Sequence, residues 1–213
     1  MLFLIEHMDE WSPWIDIEYA ESYRVCRREG IDVVVTNASP EVMIKGRYPR
    51  IPTSVEDVPL DPERVAVLVP EAEDPLTPED SERLDAVVVG GILGDHPRRK
   101  RTLRLLVPKL KGFETRTLGP YHFSIDGAVK VALRVLVEGI DLEEVEVVEK
   151  PELEVEPGHT VTLNCDYPAV DGDPWIPEEL VDYLREGIVE YEEAEFSARR
   201  AGRDRRDGPE GTA

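Results

Sequence analysis

The stretch VVVGGILGDHPRRKRT, residues Val87 to Thr102, runs a β-branched strand into three glycines within five positions, then an acid, a histidine, a proline and four basic side chains. A strand that ends in this way reads as the carboxyl end of a buried parallel strand, the edge at which α/β sheets hold their ligands. Glycine there allows positive φ and close approach of the backbone to a bound molecule. Tight packing without a ligand is the competing explanation. The spacing is neither GxGxxG nor the P-loop pattern, so it lends little support to pyrophosphate binding. Asp95 and His96, placed at the top of the sheet, weigh toward a ligand.

Strand and helix signals alternate on both sides of this stretch. Upstream lie LFLIEH, IDVVVTN, RVAVLVPEAED and LDAVVVGG, four apolar or β-branched runs. Ser12 and Pro13 supply an N-cap and a first-position proline for a helix from about Trp14 to Glu29, stopped by Gly30. Residues 37 to 64 contain five prolines and read as loop with a short helix such as SVEDV, and a helical turn is expected after Thr77-Pro78. Downstream, PRRKRTLRLLVPKL is predicted helical with Pro97 at its first position, FETRTLG forms a fifth strand, and SIDGAVKVALRVLVEG is a helix capped by Ser124 and ended at Gly139. The pattern predicts an α/β fold with a mostly parallel sheet, helices on both faces, and a site in the loops at 69–77, 90–97 and 118–124. Beyond residue 140, VEVVEKPELEVEPGHTVTLN predicts short antiparallel strands and IPEELVDYLREGIVEYEEAEF a helix. Together these make a small C-terminal β/α extension.

Charge is distributed unevenly. The 213 residues carry a net charge of −21, a poor long-range field for nucleic acid, although adaptation to salt or heat would also produce it. Residues 88–136 hold 10 basic and 3 acidic side chains, whereas residues 137–196 hold 2 basic and 20 acidic. The final SARRAGRDRRDGPEGTA has almost nothing to pack and is expected to be a disordered tail. Cys26 and Cys165 form no CxxC pair, and His7, His96, His122 and His159 lack ligand spacing, so neither a disulfide framework nor a metal site is expected. No Gly-x-Ser-x-Gly elbow or Cys/His arrangement supports a covalent nucleophile. No stretch approaches the roughly 18 apolar residues of a membrane span, and MLFLIEHMDEW lacks a secretory pattern, so a cytoplasmic protein is expected.

The first loop, IEHMDEWSPW, gathers Glu6, His7, Asp9, Glu10, Trp11 and Trp14 at one sheet edge. Carboxylates beside indole faces suit a guanidinium, by bidentate hydrogen bonding and cation–π contact. They also suit a plainer arrangement, an acid at a helix N-terminus with tryptophans filling core. The basic run 97–101 could contact phosphate or form a solvated helix face.

The segments IEHMDEWSPWIDIEY, VVVGGILGDHPRRKRT and TRTLGPYHFSIDGAVKVAL closely resemble, in the same order, a family of SPOUT-class methyltransferases. That family is known for methylating an arginine of a ribosomal protein with S-adenosylmethionine, and its SPOUT relatives act mostly on RNA. The resemblance covers roughly residues 1–140, with GGILGDHP its specific part and VPEAEDPL standing where relatives show another charged turn. It implies a deep trefoil knot near the fourth and fifth strands, an exception to the rule against knots. It also implies a cofactor site against Gly90, Gly91, Ile92, Leu93, Gly94, Asp95 and His96, with Leu118 and Gly119 from the next loop. On this reading Glu6, Asp9 and Glu10 orient the acceptor guanidinium and accept its proton, while His7, Trp11 and Trp14 bind the substrate. The expected organisation is a methyltransferase domain over 1–140, an acidic extension over 141–196 and a tail over 197–213, in a monomer acting on a basic, ribosomal protein. Two other readings stay open: RNA methylation along Arg98–Arg104 with Lys109 and Lys111, and a non-enzymatic cofactor- or partner-binding module.

Overall fold

Leu2–His7 forms strand β1, whose four central residues are all buried. Ser12 then caps helix α1 (Pro13–Arg28): its hydroxyl accepts the Ile15 N–H at 3.3 Å, and Pro13 occupies the first turn, where no amide donor is needed. A computed structural model describes residues 1–39, 47–94 and 99–187. The elements that follow are β2 (Asp32–Thr36), β3 (Val65–Leu68), a short helix α2 (Asp80–Arg83), β4 (Ala86–Gly91), β5 (Glu114–Arg116) and α3 (Ile125–Leu136). The five strands form one parallel sheet in the order β2-β1-β4-β3-β5, so β1 and β4, far apart in sequence, lie side by side at its centre.

Alternate side chains divide the core between the two faces, as a two-residue period requires. Phe3, Ile5, Val33, Val35, Val87 and Val89 face α1 and α3. Leu4, Val65, Val67 and Val88 face the other way, against Val55, Leu106 and Leu110. The long helices cover only the first face. The second is closed by helical turns, because the segment predicted as a regular helix from Pro97 to Leu110 departs from that geometry. Pro97 lies outside the described residues; Thr102–Leu106 is a π-helical turn, with the Val107 N–H reaching back to the Thr102 carbonyl at 3.2 Å. Pro108 has no N–H to continue a regular ladder, and the wide turn directs Leu106 inward. The strand expected over Phe113–Gly119 is shorter, because Thr117 leaves β3 to pair with the preceding loop: its N–H donates to the Asp74 carbonyl at 2.8 Å and its carbonyl accepts the Leu76 N–H at 2.9 Å.

The C-terminal extension contains β6 (Val147–Val148), a hairpin of β7 (Glu152–Glu156) and β8 (His159–Thr162), β9 (Tyr167–Val170), β10 (Asp173–Pro174) and helix α4 (Glu178–Arg185). All its strand pairs are antiparallel, as expected. The helix predicted to reach Phe196 ends within the described chain at Arg185; residues 188–213, including the expected tail, lie outside the described residues. The extension packs on α1 through Ile17, Leu163, Tyr167, Leu180 and Tyr183, with Trp14 edge-on to Tyr183. Beneath it Lys130, fully buried, binds Asp126 at 2.8 Å, Glu21 at 3.1 Å and the Trp175 carbonyl at 2.9 Å. A buried ammonium with this many acceptors ties α1, α3 and the extension together.

Two outcomes test this packing. Gly91 has no room for a side chain: a Cβ there would stand 2.6 Å from the Glu6 carbonyl oxygen and collide with the Tyr19 hydroxyl. Gly91→Ala is expected to cost about 2 kcal/mol, read as a melting point lower by roughly 4–8 °C; an unchanged melting point contradicts the packing. Glu18, also buried, has its carboxyl raised from 4.5 to about 8 by burial, with the neighbouring Asp126 adding to the effect. The folded protein therefore holds this proton more tightly than the unfolded chain, so the stability it contributes is present below pH 4.5 and is lost as pH rises toward 8. Denaturant midpoints are expected to decline across that window more steeply for the natural chain than for Glu18→Gln, and equal slopes count against it.

Candidate functional site

Three loops meet above the carboxyl ends of β3 and β4: 69–72, 90–94 and 117–124, the same three regions the sequence pattern marks. They enclose a cleft of about 590 Å³ including its open mouth, walled by Val69, Gly90, Ile92, Leu118, Gly119, Tyr121 and Phe123, with Ala128 from the first turns of α3. Among the described residues no Lys, Arg, Asp or Glu lines this inner cleft. A second hollow shares Pro70, Ile92, Thr102 and His122 with it, and continues outward past Glu71, Leu93 and Gly94 to Arg99, Lys100 and Arg101.

Local chemistry fixes each wall. Gly119 adopts a φ of +89°, turning the chain back over the sheet, and its N–H donates to the Thr117 hydroxyl at 3.1 Å. Ser124 caps α3 by accepting the Gly127 N–H at 3.1 Å. A Cβ on Gly90 would stand 3.1 Å from the Thr102 hydroxyl, so glycine lets the 102–106 turn press against β4. Leu93 is gripped on both sides of its peptide. Asp9 accepts its N–H at 3.3 Å, and Arg101, paired with the same Asp9 oxygen at 3.0 Å, donates to its carbonyl at 2.5 Å. This charge-assisted clamp holds the glycine loop at the rim of both hollows.

The structure distributes the expected site residues differently from the sequence reading. Gly90, Ile92, Leu118 and Gly119 line the inner cleft, and Leu93 and Gly94 line the outer hollow. Gly91 lines neither; it faces Tyr19 and Glu6. Asp95 and His96 lie outside the described residues. Glu6 is a correction. Expected to handle the acceptor, it is fully buried and accepts hydrogen bonds from Thr36 Oγ1 at 2.6 Å, Ser54 Oγ at 2.6 Å and the Val55 N–H at 2.9 Å. With three donors spent on its carboxylate, it fastens β2 and the 54–58 turn to β1. Trp14, expected at the substrate, donates its indole N–H to Glu18 at 2.7 Å and packs beneath the extension. Trp11 packs on the main core. His7 sits 2.9 Å from the Tyr19 hydroxyl, and burial lowers its pKa. None of Glu6, His7, Trp11 and Trp14 lines either hollow, so the acid and indole cluster is not assembled as a cradle. Glu10 is exposed, and its N–H donates to Asp9.

Burial pushes the Cys26 thiol up to about 12 and raises that of Cys165 as well, so neither is a ready nucleophile. Among the described residues no group of His, Cys, Asp and Glu could hold a metal ion, and no helix is long and apolar enough to cross a membrane. Sequence reasoning missed Tyr121, Phe123 and Ala128 as cleft walls. The loop 118–124 was marked, but which of its faces turns inward depends on the Gly119 bend.

Comparison with known proteins adds an independent finding. A family model described as protein arginine N-methyltransferase SFM1-like matches residues 2–191. Protein arginine N-methyltransferase SFM1 of Saccharomyces cerevisiae is 28% identical in an alignment 204 positions long, gaps included, that takes in 87% of this chain and 94% of that protein. The crystal structure of the yeast arginine methyltransferase SFM1 complexed with SAH matches with a TM-score of 0.76 at 26% identity, over 85% of this chain and 93% of that one. Its complex with SAM gives 0.76 at 25%, over 86% and 89%. A dual specific Trm10 from Thermococcus kodakaraensis shares the fold alone, at a TM-score of 0.53 and 22% identity, over 67% of this chain and 95% of that one.

Reassigning Glu6 has a measurable consequence. Glu6→Gln turns an NH₂ toward donors that a carboxylate satisfies, and is expected to cost about 1–3 kcal/mol of stability. Turnover of the folded fraction is expected to stay within about twofold of the natural chain, since the group does not reach the cleft. Steady-state assays well below the melting point, with denaturant melts in parallel, separate the two effects; a folded variant with little turnover restores Glu6 to the chemistry.

Proposed function

The chain belongs to the SFM1-like protein arginine N-methyltransferase family, and from that premise we propose that its carboxyl-edge cleft binds S-adenosylmethionine for methyl transfer to an arginine side chain of a protein. The observation that carries this reading is the composition of the inner cleft: glycine and apolar walls interspersed with Thr102, Tyr121, His122 and Ser124, and no Lys or Arg among the described lining residues. A nucleoside cofactor without phosphates and with a positive sulfur fits such walls, whereas a nucleotide would call for phosphate-binding donors. The SAH and SAM complexes of the yeast relative support the same ligand class.

Ile92, Leu118 and Ala128, with Tyr121 and Phe123, would hold the purine and the aliphatic chain, and the Asp9–Arg101 clamp would keep Leu93 in place against them. Bound there, the cofactor supplies an electrophilic methyl carbon. The protein's own task is to hold a guanidinium nitrogen in line with that carbon and to exclude water. As the nitrogen–carbon bond forms, the carbon–sulfur bond breaks with its electron pair left on sulfur, and one N–H proton departs. A guanidinium has a pKa above about 12, so this proton needs a carboxylate or water close at hand.

The finer parts of the reading rest on charge and on the resemblance. An extension with 20 acidic and 2 basic side chains over 137–196 attracts a basic protein and repels phosphate, which favours a ribosomal protein over RNA as acceptor. A monomer in the cytoplasm is part of the same proposal. So is the trefoil knot, which rests on the family resemblance alone.

The experiment is transfer of isotope-labelled methyl groups to a cell extract by the purified chain, with protein and RNA fractions separated and the modified residue located by mass spectrometry. Label on arginine in basic proteins is expected. Label confined to RNA overturns the acceptor assignment, and no label in either fraction overturns the enzyme reading. Ala128→Trp, which fills the inner cleft from α3, is expected to weaken calorimetric binding of S-adenosylhomocysteine by at least about tenfold, and undiminished binding places the cofactor elsewhere.

A further inference from the structure

We propose that Glu71, a residue with no part in the packing of the sheet, is the carboxylate that receives the acceptor arginine. The assignment rests on the proposed reading of the cleft as a methyl-transfer site. Glu71 is half-buried, and its Oε2 has no exposed surface and no hydrogen-bond partner among the described residues. A carboxylate oxygen taken from water without a donor is costly, and such a group calls for an explanation, a ligand at a functional site among them. Here the position is held from outside. The Ala72 N–H donates to the Val69 carbonyl at 3.0 Å, the Val69 N–H to the Arg116 carbonyl at 2.9 Å, and the Thr117 hydroxyl lies 3.2 Å from the Pro70 carbonyl. The turn that carries Glu71 is therefore fixed on both sides before any ligand arrives.

Its surroundings narrow the partner. Glu71 is the one carboxylate that lines either hollow among the described residues. Arg101, in the same hollow, is bound to Asp9 and the Leu93 carbonyl, while Arg99 and Lys100 are exposed and do not reach Glu71 Oε2. A carboxyl group with no internal donor is completed by an N–H or O–H donor, most strongly by a cationic one, and a guanidinium offers paired donors in the geometry a carboxylate accepts. Two such cations belong to the reaction, the ammonium of the cofactor and the acceptor guanidinium. Placement favours the second. Glu71 borders only the outer hollow, which adjoins the inner cleft at Pro70, Ile92, Thr102 and His122; with the cofactor in the inner cleft, the hollow is the space left for the acceptor side chain. Glu71 also supplies the nearby carboxylate that the departing proton requires, which Glu6 cannot.

The test uses the full chain and its Glu71→Gln and Glu71→Asp variants, with S-adenosylhomocysteine binding by calorimetry and steady-state kinetics on an arginine-containing basic protein fraction shown to be methylated by the natural chain. For Glu71→Gln, cofactor-product affinity is expected to stay within about twofold while KM for the acceptor rises about ten- to hundredfold, the size of a lost charge-assisted hydrogen bond, and kcat falls as well because an amide cannot take the proton. Glu71→Asp keeps the charge one methylene short and is expected to show a smaller rise in KM, again without loss of cofactor-product affinity. If the Gln variant melts early, the Asp variant decides alone by the same split. Weakening of S-adenosylhomocysteine binding by tenfold or more assigns Glu71 to the cofactor ammonium and overturns the proposal, as does a variant unchanged in both measurements. Failure of the natural chain to bind S-adenosylhomocysteine also overturns it, and is distinguished because it appears before any substitution.

Discussion

The site depends on one steric constraint, the absence of a side chain at Gly91. β4 ends against the carbonyl of Glu6 on β1 and the hydroxyl of Tyr19 on α1, an approach that even a methyl group would prevent. Tyr19 donates weakly to the Gly91 carbonyl at 3.4 Å and lies 2.9 Å from His7, so strand end, helix and first loop are fixed by one aromatic hydroxyl. From that fixed point β4 leaves the sheet toward Ile92 and Leu93. There the Asp9–Arg101 clamp takes over, and the cleft follows from where the clamp holds the loop. Glycine in this stretch thus serves two purposes: Gly91 allows packing, and Gly90 lets Thr102 close the cleft wall.

The same logic separates the acids, which chemical type alone does not. Glu6, Asp9 and Glu71 are all carboxylates near the carboxyl edge of the sheet, but their partners differ. Glu6 has three donors and is structural; Asp9 has a guanidinium and two backbone amides and positions a loop; Glu71 lines a hollow, and its Oε2 has no partner among the described residues. Free capacity, rather than proximity in sequence, marks the group available to a ligand. The extension is anchored by its Trp175 carbonyl, which accepts from Lys130 of α3, and by its Tyr183 ring, edge-on to Trp14 of α1.

Much of the architecture was legible in the chain itself, because it is encoded over short spans. The β-branched runs gave five parallel strands, Ser12-Pro13 gave the start of α1, Ser124 gave the start of α3, and glycine-ended strands pointed to the three loops that form the cleft. The site residues were less legible because their fates are decided by distant partners. Glu6 is consumed by donors 30 to 49 residues away, and Trp14 by Glu18 and by a tyrosine of the extension. Local pattern could not distinguish a carboxylate with three donors from one with none. Nor could it show that the 102–106 segment widens into a π-helical turn ahead of Pro108, where burial of Leu106 overrides regular helix geometry.

The central claim is that a cationic sulfur donor lies in the apolar cleft over β3 and β4 with its reactive end turned toward the hollow that Glu71 borders. A crystal structure of the chain with S-adenosylhomocysteine tests it most directly. The expected density has the nucleoside between Ile92, Leu118 and Ala128 and the sulfur at the opening shared by Pro70, Thr102 and His122. A product bound anywhere else, or a sulfur facing away from Glu71, contradicts the account.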